Sequence, residues 1–456
     1  MSERPDAEPV DPGPDRAGDS IPERPPTTDL APIVDACESA DAAAFVAVGD
    51  RFDDDLRYLT RFSGPDREFA LVVVPGDEPD TETDGEATPE SRGRAVLCAP
   101  ALSGEQARRE FVKHARRESS AFPDGVAREV RVENVGESAG RRAAAVIDDL
   151  VTGSDRTVLV PRSIPHDAAV FLERAGYPVT STTAVADTRC VKTEAEIDCL
   201  RRVQRAAVAA MARAETVLAE SDGEASRESD VNSLPASDVS SASESDVLRH
   251  DGDTLTTERL RREIDATLAE RGVRDAGNTV VGAGTAAVDL HYRGVDPIRR
   301  GETVLIDVSP RGPHGYYGDL TRTFVVDSDG GWERRAYVAV EAAREAALAE
   351  IGPGVIAQDV HREAAAELAA YGFDPDAAEG ESGFTHGTGH GVGVSLHEAP
   401  SLTSDATLRA GHVVTVEPGV YDPDVGGVRL EDLVVVTDEG YELLAAYPFG
   451  TTPAAE

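Results

Sequence analysis

The chain has 456 residues, 40% of them hydrophobic, and a formal net charge of −40, a length that accommodates two domains, each with its own core. The acidity argues against nucleic acid and anionic membrane as partners, and no run approaches the ~18 apolar residues of a membrane helix. The polar, acidic start MSERPDAEPVDPGPD lacks the basic and apolar regions of a secretory leader, so the expected location is the cytoplasm.

Residues 1–29 are rich in Pro, Asp, Glu and Arg without apolar periodicity and are expected to form a disordered acidic tail. Between 30 and 188, apolar runs at 42–48, 69–75, 94–100 and 157–161 alternate with helical patterns at 104–117 and 139–152, as in an α/β domain. The stretch 76–93 reads as a long acidic hairpin loop. A second domain, 189–450, opens on a helix at 194–220, with Ile197, Leu200, Val203, Ala207 and Met211 at helical spacing. Residues 221–253 turn Ser- and acid-rich, as a disordered insertion would. A helix at 258–271, capped by Thr256 or Thr257, precedes strand-like runs at 278–282, 303–310 and 321–327. Helices at 332–351 and 355–371 lead into strand-like runs at 413–421, 428–437 and 441–448. A helix pair followed by strands therefore occurs twice between 194 and 437, and each half delivers acids near its strand ends.

Residues 1–30 hold eight acids against three arginines, and residues 220–253 hold ten against two, so most of the surplus negative charge lies on folded parts. Lysine occurs only at Lys113 and Lys192. The cysteines Cys37, Cys98, Cys190 and Cys199 form no CxxC pair and read as buried, reduced thiols.

Three segments carry chemistry. HGTGHGVGVSLHEAP (386–400) places His386, His390 and His397 within twelve positions of a chain with ten histidines, and glycine is useful where backbone approaches a ligand closely. The bland alternative is a Gly-rich turn with surface histidines. In TVLIDVSPRGPHGYYGDLTRTFVV, Asp307 ends one apolar run and Asp319 opens the next, and a hairpin between them sets the two carboxylates across adjacent strands. Glu417 in TVEPGVY and Glu431 in GVRLEDLVVVT interrupt apolar strands, where a lone glutamate needs a partner. Four carboxylates and one imidazole suit Mn, Co, Fe or Zn, and a pair of such ions needs several carboxylates to offset their mutual repulsion.

The order Asp, Asp, His, Glu, Glu resembles that of the pita-bread metallopeptidases: methionine aminopeptidase, Xaa-Pro aminopeptidase and Xaa-Pro dipeptidase (prolidase). The words LIDVS, GDLTRTF, HGTGHGVG, VEPGVY and VRLED carry the likeness over roughly 190–450. LRYLTRFSG (56–64) and KTEAEI (192–197) more weakly resemble the creatinase-type N-terminal domain of the proline-specific members. The resemblance implies an α/β N-terminal domain followed by an α+β pita-bread catalytic domain. It implies two divalent metal ions, with manganese favoured over Co, Zn or Fe. Asp307 binds one metal, Asp319 and Glu431 bridge, and His390 and Glu417 bind the other. His291 (DLHYRG) and His397 hold substrate and the tetrahedral intermediate, and Glu417 serves as general base. Arg429 stands beside Glu431 as a supporting residue. Apart from the resemblance, His386 and Tyr421 are candidates for binding substrate or bracing the site, with packing an equal alternative for Tyr421. The implied activity removes the residue before proline from short peptides with proline at the second position, in a homodimer. Arg409 is the only arginine between His397 and Glu417, where dipeptide-cleaving members often keep a basic residue to grip the product carboxylate. A creatinase-like C–N hydrolase and a non-catalytic partner-binding module are the alternatives within this fold.

The charge also predicts a halophilic, haloarchaeal source, because the Debye length falls to about 3 Å in molar salt and self-repulsion is screened. Thermal stability, followed by calorimetry, rises between dilute and molar KCl; a flat response refutes the expectation.

Overall fold

The computed structural model describes residues 25–76, 92–116, 122–132, 136–153, 156–223 and 246–454. Its chain divides into two compact units, Pro22–Cys190 and Val191–Glu456. The core of the expected insertion, 224–245, and most of the expected tail and acidic loop lie outside the described residues. Among the described residues no helix is long and apolar enough to cross a membrane, and all four cysteines are buried thiols outside any disulfide.

The first unit is built on a six-stranded mixed sheet. Its strands run in the order Val126–Val132, Gly93–Ala99, Phe69–Pro75, Ala44–Gly49, Val158–Pro161, Val179–Thr182. The central strand AFVAVG is buried along its whole length, as expected of a strand covered on both faces. Helix Ala139–Leu150 packs Ala143 and Ile147 into the core with Val46, Val72 and Val96. Two expectations are corrected here. Thr28, inside the expected tail, is buried, and its hydroxyl accepts from Arg61 Nε at 2.7 Å. The pattern at 104–117 is interrupted by a π-helical segment at Arg108–Lys113.

The second unit contains two similar halves. In the first, helices Glu194–Ala219 and Thr257–Glu270 cover an antiparallel sheet of Val280–Ala283, Thr303–Val308 and Leu320–Val325. In the second, helices Trp332–Glu350 and Ala357–Ala370 cover Val413–Val416, Asp432–Val436 and Tyr441–Leu443, joined by the hairpin Gly419–Asp422 and Gly426–Arg429. The described edges of the acidic insertion are ordered: Asp222–Gly223, Leu248–His250 and Asp253–Thr254 form a small sheet.

The strand-like runs at 413–421 and 428–437 are each broken at their glutamate, yet the pairing register continues across the break. Val416 faces Asp432 and Gly419 faces Arg429, so Glu417 stands opposite Glu431. The ladder is interrupted because Pro418 has no N–H, Glu417 N donates to Thr388 O, and Glu431 N donates to Thr321 O.

Behind this break lies Arg322, 1% exposed. Its Nη1 donates to the carbonyls of Thr321 (2.9 Å) and Glu431 (2.6 Å). Its Nη2 donates to Asp432 Oδ1 (2.9 Å) and Tyr447 O (2.7 Å), and its Nε to Pro448 O (3.2 Å). All five guanidinium donors are therefore used. Arg344 holds the other Asp432 oxygen, and both guanidinium groups lie over the Phe449 ring. Asp432→Ala leaves two buried arginines without their shared carboxylate. It is expected to cost about 3–5 kcal/mol in urea unfolding; an unchanged midpoint rejects this account of the clamp.

Candidate metal centre

Asp307 sits on strand Thr303–Val308, paired to Val280 on one side and Thr321 on the other. Asp319 lies one residue before the partner strand, opposite Ser309 in the same register. Ser309 Oγ is 3.0 Å from Asp307 Oδ1 and 2.9 Å from Asp319 Oδ1, and so joins the two carboxylates. The side-chain amide of Gln204, on the long helix beneath, grips the Asp319 backbone from both sides. Gln204 Nε2 donates to Asp319 O at 2.7 Å, and Asp319 N donates to Gln204 Oε1 at 2.8 Å.

The glycine-rich loop brings in His390. Its glycines let backbone pack closely on backbone. A Cβ on Gly389 would stand 2.1 Å from Thr415 O, and one on Gly391 2.4 Å from Ala399 O. The first lets the loop lie directly on the strand that precedes Glu417, and the second lets it close on its own return. His390 N donates to Thr415 Oγ1, Thr415 N donates to His390 O, and the ring Nδ1 faces Gly391 O at 3.1 Å. That leaves Nε2 directed at Glu417 Oε1 (3.2 Å) and Asp319 Oδ2 (3.8 Å). Ligand atoms of Asp319, His390 and Glu431 all lie within 4.8 Å of one another.

Burial pushes the carboxyls of Asp319 and Glu431 well above the usual range, and each is raised further by neighbouring carboxylates. Burial also raises Asp307, against the pull of Arg429. Burial opposes ionisation of Glu417 too, but its hydrogen bond to His390 brings it down to about 2. His390 is raised to about 9, the pull of Glu417 and Asp319 outweighing its burial. Four carboxylates thus share a buried wall with a single arginine. Oxygen donors, one imidazole and excess negative charge in a buried place fit divalent cations. Asp307, Asp319, His390, Glu417 and Glu431 would hold them.

Arg429 Nη2 reaches Asp307 at 2.6 Å. Arg429 approaches Glu431 through Thr321, whose hydroxyl accepts from Arg429 Nε and donates to Glu431 Oε2 at 2.6 Å. Its Nη1 donates to the Tyr421 hydroxyl at 3.2 Å, and that hydroxyl lies 2.8 Å from His386 Nε2. His386 Nδ1 faces Gly387 O, so Nε2 is the acceptor in a neutral ring whose pKa burial has lowered.

Nine of the ten residues singled out in the sequence line one cleft of ≈ 480 Å³, together with Leu290, Arg293, Leu396, Ser401 and Thr403. Tyr421 stands behind it. His291 and His397 are exposed at its sides. The His397 ring lies 4.2 Å from that of His390 and tilted to it by 57°, and burial together with the nearby His390 and His291 lowers its pKa. Arg409 is exposed and does not line the cleft. Sequence reasoning missed Gln204, Ser309, Thr321 and Thr415. His361 packs beneath the loop, its Nδ1 2.8 Å from Thr388 Oγ1 and its ring tilted against Phe384. Ser309 alone carried a signal, as the hydroxyl between the two aspartates.

This architecture is shared with solved structures. The Xaa-Pro dipeptidase from Bacillus anthracis superposes with a TM-score of 0.71 over 93% of this chain and 98% of that one, at 20% identity. The fold is a creatinase-type N-terminal domain followed by a pita-bread domain. Residues 198–438 match the profile of metallopeptidase family M24, and the chain belongs to that family. A probable dipeptidase PepE of Mycobacterium tuberculosis is 30% identical over 266 residues, 58% of this chain and 60% of the relative. An Xaa-Pro dipeptidase of Pyrococcus horikoshii is 36% identical over 174 residues, 38% of this chain and 47% of the relative. The matched stretches thus span about half to three-fifths of these relatives' lengths.

In the metal-free chain at neutral pH, Glu431→Gln removes one of the opposed charges and is expected to raise the melting temperature by roughly 2–4 °C. The same variant loses the stabilisation that Mn(II) gives the native sequence. A metal-free variant less stable than the native chain, with its response to Mn(II) intact, contradicts the repulsion argument.

Proposed function

We propose that the chain is a two-metal exopeptidase that hydrolyses the bond between an N-terminal residue and a following proline. The observation that carries this reading is the convergence of five ligand-type side chains, from segments 124 positions apart, on one wall of a cleft flanked by His291 and His397. When bound, divalent cations supply Lewis acidity, polarising a carbonyl and lowering the pKa of water.

The remaining work falls to the chain. The acidic wall attracts the ammonium group of a peptide N-terminus. A peptide bond to proline lacks an N–H and its ring fixes φ, so strand-like binding fails and a shaped pocket is required. Leu290 and Leu396 give the cleft apolar surface for the pyrrolidine ring. Glu417 carries the proton to the leaving imino nitrogen. His397, neutral and beside His390, donates a hydrogen bond to the oxygen on which negative charge develops, with His291 alongside. Arg429, spanning Asp307, Thr321 and Tyr421, keeps the carboxylates and His386 in place. The mycobacterial and Pyrococcus relatives named as dipeptidases support an exopeptidase of short substrates.

Cleavage of Xaa-Pro peptides with Mn(II) in molar KCl tests the assignment. Asp307→Asn and His390→Ala are each expected to lower kcat/KM at least ~100-fold; equal activity in all three proteins rejects it. A substrate series from dipeptide to pentapeptide separates the subtypes. Activity confined to the dipeptide marks a dipeptidase, and activity extending to longer peptides marks an aminopeptidase.

A further inference from the structure

Lys192, one of only two lysines in the chain, is buried against Glu398. Its Nζ lies 2.6 Å from Glu398 Oε1, and the two side chains are 2% and 9% exposed. Glu398 follows His397. It exchanges two backbone hydrogen bonds with Gly391, the neighbour of His390, at 3.0 and 2.9 Å. The Glu398 carboxylate lies flat against the turn: a Cβ on Gly393 would stand 2.3 Å from Oε1. Lys192 is itself anchored, its N–H donating to Gly411 O at 2.8 Å, and Val191 bridges to His412. The ion pair therefore ties the turn bearing His397 to the base of the strand that leads into Glu417.

The two site histidines differ in what holds them. His390 is fixed by Thr415 through two backbone contacts and by its ring facing Gly391 O. Among the described residues the His397 ring makes no hydrogen bond and only leans against the His390 ring at a tilt. Its place depends on the backbone beside it. A buried ion pair contributes little net stability over two apolar residues of the same volume, so what it supplies here is a fixed geometry.

We propose that Lys192 is a positioning residue that acts through Glu398 to hold His397 over the cleft. The inference rests on the proposed function in giving His397 a task. It makes a specific demand: Lys192 matters to turnover only while His397 is present, and does not matter to metal binding, because His390 is secured independently.

The test is a double-mutant cycle on the full chain, loaded with Mn(II) in molar KCl and assayed with an Xaa-Pro peptide. Lys192→Met and Glu398→Gln are each expected to lower kcat ~10–100-fold. Mn(II) stoichiometry and affinity, measured by titration calorimetry, stay within about twofold of the native values. In a His397→Ala background, adding Lys192→Met changes kcat by no more than about twofold. Where Lys192→Met alone does not fold, Lys192→Met/Glu398→Gln removes both charges and takes its place. The same loss of kcat with and without His397, or a fall in Mn(II) affinity, overturns the inference and leaves the proposed function standing. Full kcat in His397→Ala removes the task assigned to His397, and this inference falls with it.

Discussion

Four carboxylates, two buried and two partly buried, around one arginine are the constraint on which the second unit is organised. Each of Asp307, Asp319, Glu417 and Glu431 loses hydration in a place where its neighbours repel it. An isolated buried charge is strongly disfavoured unless it is paired or bound to a cation. Arg429 relieves Asp307, and the protonated His390 relieves Glu417. The remainder of the negative charge is what makes the wall receptive to divalent cations.

Repulsive groups stay together only if the backbone cannot move apart, and the fold meets that need in layers. Gln204 pins the peptide groups of Asp319 from below. Thr321 links Arg429 to Glu431 across the meeting line of the two halves. One residue along each strand, the alternation of side chains places Arg322 and Asp432 on the opposite face, where they form an ion pair with Arg344. The same peptide segments thus present acids to the cleft and a satisfied ionic clamp to the core. The antiparallel register carries Glu417 and Glu431 to facing positions, and the break in the ladder there frees their backbone groups to join neighbouring segments.

The acids were legible because each stands among valines and leucines, where a charged residue needs a reason. The histidine loop was legible because histidine is scarce in this chain. The helices Glu194–Ala219 and Trp332–Glu350 were legible from periodicity within a residue or two. The strand break at Glu417 was not, because apolar composition marks burial and does not report where ladder hydrogen bonds are diverted to Thr388. Gln204, Thr321 and Thr415 were invisible for a related reason: small polar residues are common on helices and strands, and only the folded chain shows which backbone groups they face. The glycines of the histidine loop were noticed, but their use in packing against Thr415 and Ala399 depends on a strand more than twenty residues away in one case.

The acceptors that complete Arg322 come from Tyr447 and Pro448, and Val325, at the end of the strand that begins beside Asp319, donates to Thr451. A chain shortened before Tyr447 would therefore leave two of the five Arg322 donors without acceptors inside the core. The cleft thus depends on a segment that contributes nothing to its lining.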